Sequence, residues 1–370
     1  MIDAGFWRGK RVLVTGHTGF KGGWLCLWLH ALGARTTGYA LPPPTNPSLF
    51  DLARVAGCVQ SITGNILDRA RLEEAFAASE PEIVFHLAAQ PIVRLSYEDP
   101  FDTYMTNVMG TVSVLESVRA CRHVRAVVVV TSDKCYENQE WHRGCRESDP
   151  MGGHDPYSSS KGCTELVASA YRRSFLAAPR GARPAVALAS ARAGNVIGGG
   201  DWARDRLIPD VMRAVVAGGS AGIRNPSAIR PWQHVLEPLS GYLVLAQHLC
   251  GGERLFQDAW NFGPRDEDAV SVDTMLPMFC KRLGPRARWH LEPAPDAPHE
   301  AHFLRLDINK ARALLGWEPR WRLDRSLEAT ADWYASYIAG DDMLGVSLRQ
   351  IAEFDADAPV AAPRSASGPT

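Results

Sequence analysis

At 370 residues the chain is long enough for one large domain or two closely joined lobes. Its 46% hydrophobic and 22% charged residues are those of an ordinary globular protein, which excludes a collagen-like or wholly disordered chain. Forty basic side chains against 41 acidic ones leave a formal net charge of −1, so no broad field exists to grip nucleic acid or an anionic membrane. Any anionic ligand must be held by a few local groups.

The first half of the chain alternates short β-rich runs with helical stretches. Strands are expected at 11–16, 36–40, 82–89 and 124–132, and helices at 22–34, 67–80, 108–121 and 161–176, with one more strand at 185–195. Nearly continuous apolar strands separated by helices of this length predict a doubly wound parallel sheet, an α/β fold of Rossmann type. Residues 1–195 are expected to form that lobe, with segments around 230–265 returning to it, and 196–350 to form mainly a smaller mixed lobe over the strand ends. Helical spacing over 308–317 and 323–340 should close the smaller lobe, whereas the Ala/Pro/Ser-rich stretch 355–370 predicts a disordered tail.

The longest apolar runs, such as Ala126–Val130, fall far short of the roughly 18 residues a membrane span needs. The first ten residues lack the apolar segment of a secretion signal, so a cytoplasmic location is expected, with no membrane and no nucleic acid as partner. Eight cysteines are scattered without C-x-x-C spacing and the histidines lack ligand spacing, which argues against a disulfide framework and against a bound metal. Tryptophans such as Trp24, Trp28, Trp317, Trp321 and Trp333 are expected in the core.

Between the first strand and the first helix stands Gly16-His17-Thr18-Gly19-Phe20-Lys21-Gly22. This spacing lets backbone approach a pyrophosphate at a helix N-terminus, where free N–H groups and partial positive charge collect. The second strand does not end in the acidic residue that would hold an adenosine ribose, nor in an arginine for a 2′-phosphate. A 2′-phosphate would lack a charged partner there, so NAD is favoured over NADP.

Farther on, Tyr157 and Lys161 lie four apart on one face of an expected helix. An ammonium beside a phenol lowers its pKa and makes it a base for a sugar or alcohol hydroxyl. Only six of the 40 basic residues are lysines, so the chain uses arginine wherever any positive charge serves. Lysine can exchange a proton near neutrality and arginine cannot, which gives weight to Lys134 and Lys161. Lys134 follows Ser132 and Asp133 at the end of a strand, where ligands bind in such sheets, and the three could supply a substrate hydrogen bond and an acid/base pair.

Together these motifs resemble the extended short-chain dehydrogenase/reductase superfamily, and within it the CDP-glucose 4,6-dehydratases. The closer resemblance rests on the Ser132-Asp133-Lys134 triplet, on Gly198-Gly199-Gly200-Asp201-Trp202-Ala203 and on the segment 230–239, and it spans roughly residues 6 to 340. In the related dTDP-glucose dehydratases the triplet is Thr-Asp-Glu, so Lys134 stands where that family has a glutamate base. The resemblance implies that Tyr157 takes the 4-hydroxyl proton during oxidation of carbon 4, that Asp133 is the acid to the 6-hydroxyl and that Lys134 is the base at carbon 5. It also implies a nucleotide-sugar substrate, CDP-glucose, and a homodimer or homotetramer joined through the helices bearing Asn107 and Tyr157.

By position in the matched motifs, the cofactor site takes in Gly16, Thr18, Gly19, Phe20, Gly22, Asn65, Ile66, Leu87, Ala88, Ala89, Asn107, Tyr157 and Lys161. The substrate falls to Ser132, Asn195, Arg206, Leu207, Arg230, Asn261, Glu300 and His302, with Arg230 the leading diphosphate ligand because a guanidinium binds phosphate oxygens in pairs. A dehydratase for another NDP-hexose, or a 4-epimerase of the same fold, would share much of this site. An epimerase would not need the acid/base pair for elimination.

Overall fold

The computed structural model describes residues 1–141, 143–178, 184–292 and 303–357. Its centre is a parallel sheet of seven strands: β1 (Arg11–Thr15), β2 (Arg35–Ala40), β3 (Gln60–Thr63), β4 (Ile83–His86), β5 (Ala126–Val130), β6 (Ala187–Arg192) and the strand Ala259–Asn261. From one edge to the other the order is Ala259–Asn261, β6, β5, β4, β1, β2, β3. The direction of winding reverses between β1 and β4, and ligands of such sheets bind outside the strand ends at that point.

Alternate side chains of these strands enter opposite cores. Val12, Val14, Ile83, Phe85, Ala126, Val128, Ala187 and Ala189 join one cluster, while Leu13, Val84, Val127, Val129 and Leu188 join the other. A sheet covered on both faces needs apolar residues at every position, which is why these strands read as unbroken apolar runs. β3 is the exception. Its residues Gln60–Thr63 are largely exposed at the sheet edge, so its sequence carries no apolar signal and no strand is expected there.

Beyond β6 the chain forms short pieces. Val196–Ile197 pairs with Gln233–His234, Ile229–Pro231 with Ala269–Ser271, and Ala221–Ile223 with Trp289–Leu291, around the helices Leu207–Val216 and Val272–Leu283. The strand Ala259–Asn261 meanwhile joins β6 in the central sheet.

The expected tail starts too early. A helix occupies Met343–Ala356, and the carboxylates at its end are in use: Asp355 Oδ2 accepts from Trp28 Nε1 at 3.1 Å and Asp357 Oδ2 from Trp321 Nε1 at 2.8 Å. Its apolar residues Val346, Ile351 and Phe354 are buried, so packing overrides local composition; 358–370 lie outside the described residues. Trp24, Trp28, Trp317, Trp321 and Trp333 are all buried. Among the described residues all eight cysteines are free, no cluster could hold a metal ion, and no helix is long and apolar enough to cross a membrane.

Candidate active site

The glycine loop leads from β1 into the helix Phe20–Ala31, whose N-cap, Gly19, supplies no side-chain cap. The first N–H groups of this helix therefore face outward, ready for an anion. Gly16 sits at φ +80°, and a Cβ there would fall 2.7 Å from Ala88 N; a Cβ at Gly22 would fall 2.1 Å from Gly16 O. Both contacts are with backbone, which has no rotamer by which to yield. Gly22→Ala should lower dinucleotide affinity about tenfold or more, the equivalent of 1–3 kcal/mol of backbone strain, measured by calorimetric titration. Thr18 Oγ1 donates to Leu41 O at 2.9 Å and pins the loop to the end of β2.

Leu87 and Ala88 leave β4 beside this loop, their N–H groups donating to Thr15 O at 3.1 Å and Thr15 Oγ1 at 3.2 Å. Ala89 follows directly. Ile66 is buried against Gly110, and Asn65 Oδ1 accepts from Leu67 N at 2.9 Å, so that side chain shapes its own turn. Asn107 is buried in the π-helical turn Met105–Met109. Its Oδ1 accepts from Gln90 N at 2.8 Å, and its Nδ2 donates to Gln90 O at 3.1 Å and Ser160 Oγ at 2.8 Å. It ties the β4 loop to the helix that carries Tyr157.

That helix runs Pro156–Tyr171. Asp155 caps it, Oδ1 accepting from Ser158 N at 2.8 Å, and Pro156 has the fixed φ suited to a first turn. Tyr157 N donates to Ser96 Oγ at 3.1 Å. Burial pushes the Tyr157 phenol up to about 12, opposed by its hydrogen bond with the Ser132 hydroxyl. Lys161, one turn on, is pushed down to about 8 by burial, against the pull of Cys135 and Glu165.

The third party is the turn Asp133–Cys135, capped by Ser132. Ser132 Oγ accepts from Lys134 N at 3.3 Å and donates to Asp133 Oδ1 at 3.0 Å. Asp133 is buried, and desolvation raises its pKa while Lys134, Ser132, Lys21 and Arg230 oppose the rise. A buried carboxyl with a raised pKa is suited to act as an acid. Arg230 on the strand Ile229–Pro231 thus lies within electrostatic reach of Asp133. Arg206 reaches Tyr157 in the same way, while its Nη1 donates to Asp201 Oδ2 at 2.9 Å. Leu207 begins the adjacent helix, and Asn195, at φ +47°, follows Gly194, which abuts Asp133.

Asn261 does not join them. Its Oδ1 accepts from Tyr136 Oη at 2.7 Å, and its Nδ2 donates to Cys145 O at 2.8 Å and Asp307 O at 3.1 Å, leaving the amide no free hydrogen to give a sugar. It belongs to a buried network running behind the site. Arg192 Nη1 donates to Tyr136 Oη at 2.7 Å, and Arg192 Nε and Nη2 donate to the two Glu165 oxygens at 3.0 and 2.8 Å. Thr131 and Ser190 donate to the same carboxylate at 2.5 and 2.6 Å. Glu300 and His302 lie outside the described residues.

Lys21 was not among the expected site residues, yet it stands in the second position of the helix Phe20–Ala31 within electrostatic reach of Arg206, Asp133, Lys161 and Asp201. Burial pushes its ammonium down to about 7. Its signal was present in the scarcity of lysine: it lies inside the glycine motif, so three of the six lysines, not two, fall in candidate motifs.

With this geometry in place, comparisons with known proteins are informative. Residues 13–330 match the family model described as GDP-mannose 4,6-dehydratase. A CDP-glucose 4,6-dehydratase from Salmonella typhimurium is 55% identical over 354 residues, covering 96% of this chain and 98% of that protein. Among solved structures, a UDP-glucose 4-epimerase from Thermotoga maritima with UDP-glucose has a TM-score of 0.75 at 20% identity, covering 88% of this chain and 99% of its own. A dTDP-glucose 4,6-dehydratase from Bacillus anthracis in complex with NAD has a TM-score of 0.73 at 19% identity, covering 91% and 100%. At these identities the two structures speak for the fold alone.

Proposed function

The chain belongs to the GDP-mannose 4,6-dehydratase family, and from that premise we propose that it converts CDP-D-glucose to CDP-4-keto-6-deoxy-D-glucose with loss of water, as an NAD-dependent hydro-lyase. The observation that carries this reading is the 55% identity, over nearly the whole of both chains, to a CDP-glucose 4,6-dehydratase. The glycine loop, the uncapped helix N-terminus and the loop after β4 fit a dinucleotide. Held there by the glycine loop and the end of β4, NAD would supply the hydride chemistry, a reversible oxidation and reduction of the sugar.

The chain's own residues supply the proton chemistry. Tyr157 takes the 4-hydroxyl proton, helped by the Lys161 ammonium one turn along the same helix and by the Ser132 hydroxyl. The new 4-keto group acidifies the proton on carbon 5, for which Lys134 is the base. Asp133 gives its proton to the 6-hydroxyl, which leaves as water. Burial of Asp133 supports this role, because it favours the protonated form the step needs. In this reading Arg206 and Arg230 meet the anionic diphosphate, and Asn195 and Leu207 border the sugar.

Two further parts belong to this reading. Residues 1–195 bind the cofactor with help from the segment around 230–265, and 196–350 bind mainly the sugar nucleotide. The enzyme works as a homo-oligomer joined through the helices bearing Asn107 and Tyr157, where Phe101, Met109 and Leu166 leave apolar side chains exposed.

The direct test incubates purified protein with NAD and each of CDP-, UDP-, GDP- and dTDP-glucose and looks for the alkali-induced ultraviolet absorbance of 4-keto-6-deoxy sugars. CDP-glucose should be the preferred substrate; reaction with only the others overturns the nucleotide assignment. Recovery of a 4-epimer with no dehydration would favour an epimerase. Asp133→Asn should slow dehydration by about 10²-fold or more, the usual worth of a positioned acid, while oxidation at carbon 4 continues.

A further inference from the structure

Three buried polar atoms close to the catalytic turn have no hydrogen-bond partner among the described residues: Asp133 Oδ2, Gln233 Oε1 and Tyr242 Oη. A short chain of direct contacts joins them. Gly194 lies so tightly against the carboxylate that a Cβ there would fall 1.6 Å from Asp133 Oδ2. The Gly194 carbonyl accepts from Gln233 Nε2 at 3.2 Å, and the same nitrogen donates to Phe262 O at 3.0 Å. The Phe262 ring meets Tyr242 edge-on, with centroids 5.6 Å apart. Burial raises the Tyr242 phenol, and the charges of Asp133 and Tyr157 add to the rise, so the hydroxyl lies within their reach.

Counting donors decides what can satisfy them. Both carbonyls bonded to Gln233 Nε2 occupy its amide hydrogens, so Gln233 offers only an acceptor. Once its proton has passed to the 6-hydroxyl, Asp133 offers only an acceptor as well, and Tyr242 has a single proton to give. One donor cannot serve two acceptors, and buried polar groups in folded proteins are rarely left unpaired. We propose that one buried water accepts from Tyr242 Oη and donates to Gln233 Oε1 and Asp133 Oδ2, and that this water readies Asp133 to release its proton. Three hydrogen bonds are the usual complement of such a water.

The proposal rests on the reading of Asp133 as the acid of elimination. A donor on Oδ2 stabilises the carboxylate that remains once the proton has passed to the 6-hydroxyl, in a site where burial opposes that charge. Tyr242 and Gln233 are therefore positioning residues. Tyr242 acts from the helix Leu236–Cys250, which packs on β5 and β6, and Gln233 from the short strand before it.

A crystal structure that resolves ordered water should show density within hydrogen-bond reach of all three atoms. A dry cavity, or direct pairing of the three side chains, overturns the proposal. Tyr242→Phe removes only the hydroxyl and keeps the ring against Phe262. Turnover should fall about tenfold, the size of one lost hydrogen bond, with KM for the sugar nucleotide unchanged. The 4-ketohexose that still carries its 6-hydroxyl should build up, read by mass spectrometry after a borodeuteride quench. Unchanged turnover without that build-up counts against the water. Asp133→Asn, quenched in parallel, separates the two failures: if it eliminates at the parent rate, the acid assignment falls and the water's role falls with it.

Discussion

Tyr157→Phe should lower the dehydration rate by about 10²–10⁴-fold, the span covered by loss of a positioned general base. The substitution deletes one oxygen. The ring still fills its place at the start of the helix Pro156–Tyr171, and the backbone bond from Tyr157 N to Ser96 Oγ is untouched. Burial holds the phenol at about 12, so its work as a base depends on positive charge beside it, and phenylalanine has nothing for that charge to act on. NAD should still bind, because the substitution leaves the glycine loop and the end of β4 unchanged. Calorimetric titration should find NAD affinity changed by no more than about 0.5 kcal/mol, as for substitutions that disturb no packing. Activity retained within a small factor would remove Tyr157 from the role of base.

Arg192→Leu should destabilise the fold by about 3–5 kcal/mol, the cost of leaving a buried charge without its partner. Arg192 and Glu165 are 3% and 5% exposed, so water cannot replace the missing guanidinium. Thr131 and Ser190 would still donate to Glu165, which softens the loss without cancelling the charge. The damage should spread, since Arg192 also orients Tyr136, the residue that follows the turn Asp133–Cys135. Denaturant midpoints measure the change. The double variant Glu165→Gln/Arg192→Leu should recover part of it, because no charge is then stranded. Equal stability of parent and single variant would mean that the carboxylate finds another partner.

What could be read in advance follows the physics of each feature. β1, β4 and β5 were legible because burial on both faces demands unbroken apolar runs. β3 was not, since an exposed edge strand such as Gln60–Thr63 needs only backbone pairing to exist. The pairing of Tyr157 with Lys161 was legible from helical spacing, and the turn at Asp133 from its place at a strand end. Lys21 escaped because its importance comes from Asp133, Lys161 and Arg206, which lie far away in sequence. Asn261 shows the reverse: its place in a matching segment suggested the substrate, but a network assembled from β6, Tyr136 and Asp307 claims its amide. The helix Met343–Ala356 was hidden because the residues after it are poor in apolar groups, while its anchors are tryptophans elsewhere in the chain, Trp28 lying 327 positions before its partner and Trp321 lying 36.

That last anchorage has a consequence for how the chain is made. Trp28 and Asp355 are 327 residues apart, yet they are bonded, and Phe354 packs edge-on against the Trp28 ring with centroids 5.5 Å apart. At about 5–20 residues per second, ribosomal synthesis separates the two by on the order of 15–65 s. Throughout that interval the Trp28 indole, on the helix that follows the glycine loop, lacks its partners Phe354 and Asp355. The N-terminal sheet can begin to assemble early, but the helix Phe20–Ala31 acquires its final cover only when residues 343–356 emerge, so nascent chains stalled short of that point should present a sticky aromatic surface to chaperones and to one another.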